Sequence, residues 1–96
     1  MSDRLEILNE AIKLTNGNRS RDYGTPQINH ERIAAIWSVI LETPIRADQV
    51  ALCMAGVKLA RLVQTPDHLD SFIDGAAYFA IAGEIVAKSL ADVDTK

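Results

Sequence analysis

The sequence predicts an all-α protein, a compact bundle of about four helices built around a central antiparallel hairpin. Apolar residues recur at three- and four-residue spacing in four separate segments. Short runs containing Gly or Pro divide those segments. Five glycines and three prolines in 96 residues are too few for a loop-rich or disordered chain.

Ser2 can cap a first helix over about residues 3–15, in which Leu5, Leu8 and Ile12 recur at helical spacing. Asn16-Gly17 stops it, because glycine adopts the left-handed cap conformation easily. Residues 16–27, NGNRSRDYGTPQ, have no apolar period and form the longest loop, the kind of segment that carries function in small domains. Thr25-Pro26 supplies a cap and a first-turn residue for a second helix. Ile33, Ile36, Trp37, Ile40 and Leu41 carry that helix to about Glu42, where Thr43-Pro44 ends it. The third helix, about 47–64, is apolar nearly all round and is expected to be buried. Thr65-Pro66-Asp67 breaks it, and Asp67 or Thr65 can cap a fourth helix over about 68–89. Residues 91–96, ADVDTK, read as a flexible polar tail, and residues 1–96 as a single domain.

Hydrophobic residues make up 48% of the chain and mean hydropathy is +0.03. That is more apolar side chain than one small core hides, so a homo-oligomer that covers a helix face is expected. A net charge of −3 and a pI near 5.2 argue against duplex nucleic acid as a partner. Met1 to Glu6 carry acids where a signal peptide needs bases and an apolar stretch. The longest apolar run, Gly75 to Gly83, is far shorter than the roughly 18 residues of a membrane span. A lone cysteine, Cys53, excludes an internal disulfide framework, and a cytoplasmic protein is expected.

A turn as short as Thr65-Pro66-Asp67 makes the third and fourth helices antiparallel neighbours. Reflection through it sets Arg61 opposite Asp70 and Lys58 opposite Asp74, inside the most apolar part of the chain. Buried charges must pair with each other or with a ligand. Paired with each other, the four make two salt bridges that fix the hairpin's register. Paired with a ligand, Lys58 and Arg61 grip phosphate while Asp70 and Asp74 share a Mg²⁺ ion. Arg19, Arg21 and Tyr23 in the long loop add phosphate-binding cations and a ring on which a base can stack. Trp37 and Tyr78 offer further stacking surface, although Trp37 also suits the core. His30 and His68 read as exposed first-turn residues and Cys53 as an inert core thiol. No catalytic residue is assigned, because no nucleophile–base arrangement, P-loop or zinc signature is present.

The run Arg21-Asp22-Tyr23-Gly24, then Ile33-Ala34-x-x-Trp37, Met54-x-x-x-Lys58-Leu59-Ala60-Arg61 and His68-x-Asp70-x-x-x-Asp74-x-x-x-Tyr78, resembles a family of small phage proteins of unassigned function. The resemblance covers about residues 18–85 and places the protein in the cytoplasm of a phage host. The helical layout is in turn similar to MazG-like, all-α nucleotide pyrophosphohydrolases. Those enzymes hold Mg²⁺ between an E-x-x-E and an E-x-x-D motif, cleave nucleoside triphosphates and assemble as dimers or tetramers. Here Lys58 and Arg61 stand where the first acidic pair would be, and Asp70 and Asp74 replace the second. Two carboxylates are too few to hold several Mg²⁺ ions and activate water. The expectation is therefore a phosphorylated-nucleotide-binding protein, a sponge for a nucleotide or nucleotide signal. A Mg²⁺-dependent pyrophosphohydrolase and a purely structural or protein-binding oligomer are the alternatives.

Overall fold

A computed structural model describes residues 3–16 and 24–94. Within them the chain forms four helices and no strand: α1 (Arg4–Thr15), α2 (Pro26–Leu41), α3 (Ala47–Gln64) and α4 (Leu69–Asp94). Asp3 caps the first helix, its carboxylate accepting from the Glu6 amide at 2.8 Å, while Ser2, the expected cap, lies outside the described residues. At α2 the expected cap is present: the Thr25 hydroxyl accepts from the Ile28 amide, and Pro26 opens the first turn. That helix closes on Glu42, held in the left-handed conformation at φ 55°.

Ser38 then ties the connection down. Its hydroxyl donates to the Ala34 carbonyl at 2.7 Å and accepts from the Ile45 amide at 2.8 Å. At the entry to α3, the Arg46 amide donates to the Gln49 side chain at 2.9 Å.

The expected caps of the fourth helix, Thr65 and Asp67, are replaced by His68. The Ser71 amide donates to the His68 carbonyl, and the two side chains share a 2.7 Å hydrogen bond. His68 is thus half-buried rather than a free first-turn residue. The fourth helix also continues beyond the expected end near residue 89 to Asp94, since Ala87, Lys88, Leu90 and Ala91 all favour helix.

The hairpin of α3 and α4 is the structural centre. Helix α1 lies along α4, and α2 lies along α3 with little contact to α4. The core is thin and made of small side chains: Ala11, Ala34, Val50, Ala51, Ala55, Ala77, Ala82 and Ile85. Alanine at these crossings lets the helices approach closely. The expectation that α3 is buried all round is not met. Val50, Ala51 and Ala55 face the core, while Leu52, Cys53, Leu59 and Val63 are exposed. Cys53 is therefore a surface thiol. Among the described residues no helix is long and apolar enough to cross a membrane.

Candidate functional site

Where the four helices converge they leave a cavity of about 280 Å³. The end of α1 contributes Leu14 and Thr15, the start of α2 contributes Asn29, His30 and Ile33, and the hairpin closes the rest. Gly24 lines the rim at φ +81°, a backbone region that suits glycine and strains any residue with a Cβ.

On the hairpin side, α3 supplies Met54 and Lys58, and α4 supplies Asp74, Ala77, Tyr78 and Ile81. The Lys58 ammonium lies 3.1 Å from the Asp74 carboxylate, with the two side chains only 15% and 30% exposed. Gly75 lies beside the pair, where an added Cβ would make only ordinary van der Waals contact with the Lys58 Cβ at 4.0 Å. The ion pair leaves Lys58 with two further N–H donors and Asp74 with further lone pairs for anything that enters.

His30 is the polar residue the sequence reading missed. It is 4% exposed, not a free first-turn side chain. Its Nδ1 lies 2.7 Å from the Pro26 carbonyl oxygen. A carbonyl only accepts, so Nδ1 carries the proton, and in the neutral ring Nε2 is left as an acceptor. That Nε2 is buried without a hydrogen-bond partner. The ring meets Tyr78 edge to face, with centroids 6.1 Å apart. Helical spacing contained the signal, because His30 shares a face with Ile33 and Ala34 at i+3 and i+4.

Of the residues expected to form the site, the structure brings Lys58, Asp74 and Tyr78 together around the cavity. Arg61 and Asp70 are exposed, do not line it, and form no ion pair with each other within 4 Å. The expected convergence of four charges is therefore corrected to one half-buried pair. Trp37 is half-buried on α2 and outside the lining. Arg19, Arg21 and Tyr23 fall outside the described residues. Among the described residues no three His, Cys, Asp or Glu side chains cluster to hold a metal ion.

Residues 6–86 match the pattern of a family described as a domain of unknown function (DUF6378). The chain is 35% identical over 78 residues to the Gene 55 protein of Mycobacterium phage L5, covering 80% of this chain and 50% of the phage protein. It is 43% identical over 72 residues to the Gene 55 protein of Mycobacterium phage D29, covering 75% and 48%. The chain thus spans about half the length of the curated relatives it matches. The resemblance to phage proteins of unassigned function is borne out by these matches. No solved structure matches.

Proposed function

The chain belongs to the DUF6378 family, and we propose that it binds a phosphorylated nucleotide in the cavity between α1, α2 and the hairpin. One observation carries this reading: a lysine held in place by an aspartate, half-buried on the wall of an otherwise largely apolar cavity. A salt bridge there is no better for stability than a well-packed apolar pair, so its presence on the cavity wall favours a ligand. Lys58 is the phosphate-binding cation, and Tyr78 supplies ring surface for a base. At about 280 Å³ the cavity is near the small end of ligand pockets, which suits one nucleotide unit.

Binding without hydrolysis is the favoured form, and the biological role we assign is sequestration of a nucleotide or nucleotide signal in the host cytoplasm. In the MazG-like reading of the hairpin, Lys58 occupies a position where the enzymes carry an acid. The residues do not fit a Mg²⁺ shared by Asp70 and Asp74, since only Asp74 lines the cavity. A Mg²⁺ ion arriving with the phosphates would have Asp74 as its carboxylate ligand and would supply charge neutralisation alone.

A thermal-shift screen tests the proposal. A bound nucleotide present at 100 times its dissociation constant stabilises the fold by about 2.7 kcal/mol. The expected result is a raised melting temperature with at least one nucleotide and none in Lys58→Met. No shift with any nucleotide at millimolar concentration would sink the reading, and Mg²⁺-dependent pyrophosphate release would replace it with the enzyme.

A further inference from the structure

The outer face of the hairpin, turned away from α1 and α2, carries a second pattern. On α4, Phe72, Ala76, Phe79, Gly83, Val86 and Leu90 follow one another at spacings of four and three. On α3, Leu52, Gly56, Leu59 and Val63 repeat the same alternation. This is the a/d repeat of helices that pack side by side at a shallow angle, narrower than the stripe of an ordinary globular helix. The large members of both rows are exposed, Phe79 at 55% and Val63 at 85%. Cavity residues Asp74 and Ile81 follow Phe72 and Phe79 by two positions, which puts them about 200° round the helix. Seam and cavity therefore occupy opposite sides of α4.

Gly56 and Gly83 sit within these rows. A Cβ at either position would meet nothing within 4 Å, so nothing in the protomer calls for glycine there. Each costs about 1 kcal/mol against alanine in a helix. In a seam, their lack of a side chain admits a neighbouring helix.

The exposed surface of this face supports a missing neighbour. Its two rows leave Phe72, Phe79, Val86, Leu90, Leu52, Leu59 and Val63 between 43% and 85% exposed, the largest such group among the described residues. Seven half-exposed side chains of this size present an area on the order of the 800 Å² that each partner contributes to a standard interface. No charged residue stands in either row, so nothing selects a partner of complementary charge. An antiparallel hairpin with the same repeat on both helices is complementary to itself about a two-fold axis.

We propose that this face is the interface with a second copy of the chain. Two hairpins pack into a four-helix bundle, with one ligand cavity on each outer side. The exposed apolar side chains of the outer helices, Leu5, Leu8 and Ile12 on α1 and Ile36, Val39 and Ile40 on α2, stand in neither row.

Sedimentation equilibrium of the full chain at micromolar concentration tests the proposal. The wild type is expected at twice 10.5 kDa. Phe79→Glu is expected to weaken association at least about 100-fold, since a carboxylate cannot be buried unpaired. Gly83→Trp should do the same, and the open space around Gly83 leaves the protomer's own fold intact, as circular dichroism would show. Ile40→Glu is expected to leave the mass unchanged. A monomeric wild type, an unchanged mass in Gly83→Trp, or dissociation by Ile40→Glu instead would each overturn the assignment.

Discussion

Lys58 and Asp74 meet at 3.1 Å across the hairpin, while Arg61 and Asp70, one turn nearer the loop, stay apart in solvent. The two pairs have the same origin in sequence but not the same environment. A half-buried pair is held because each charge would otherwise face apolar surroundings. An exposed pair gains at most about 1 kcal/mol, which scarcely offsets the entropy of ordering two long side chains.

The inner pair should therefore behave as a unit. Asp74→Leu alone is expected to destabilise the fold by about 1–2 kcal/mol, less than a fully buried pair would lose because both groups retain some water. Lys58→Met together with Asp74→Leu should recover most of that loss. A urea-unfolding double-mutant cycle measures the coupling, and additive losses would show that the two groups act independently.

By the same reasoning Arg61→Ala and Asp70→Ala should each change stability by less than about 0.5 kcal/mol. Neither should alter nucleotide affinity by more than a few-fold, since neither lines the cavity. A large effect of either in denaturant melts or titrations would mean that the outer charges take part in the site.

This contrast shows what the sequence could and could not disclose. Reflection through a short turn gives the level of a residue along a helical hairpin, and that placed Lys58 beside Asp74. It does not give the direction in which the side chain leaves the helix, and so it wrongly joined Arg61 to Asp70. The helices themselves were legible because Thr25-Pro26, Thr43-Pro44 and Thr65-Pro66 punctuate them strongly. His30 was hidden for another reason. A histidine ranks as polar when apolar positions are counted, and its partner, the Pro26 carbonyl, is in place only once the helix has formed.

For His30 the tautomer is the observable. Long-range ¹H–¹⁵N spectra of the neutral ring should show the proton on Nδ1, the side facing Pro26. His30→Phe should retain the packing against Tyr78 but remove the acceptor, which reduces the affinity of any ligand that donates to it by about tenfold. A proton on Nε2 in the free protein would remove the basis for this expectation.

Gly24→Ala should destabilise the protein by about 1 kcal/mol, because φ +81° strains alanine. The nearest side chain, Ile28, is 3.6 Å from the added carbon, so strain and not collision is the cause. Thermal melts that show no loss would contradict the left-handed conformation at this position.

The short connection Thr65–His68 has a kinetic consequence. It joins the two helices with the most extensive mutual contact, so little chain entropy opposes their meeting. The hairpin should therefore assemble first and open last, with Lys58 and Asp74 already in register before His30 arrives on α2. Native-state hydrogen exchange would then protect α3 and α4 most strongly and release α1 and α2 at lower free energy. The cavity would thus be half permanent and half closable, with transient release of the outer helices giving a ligand its way in and out.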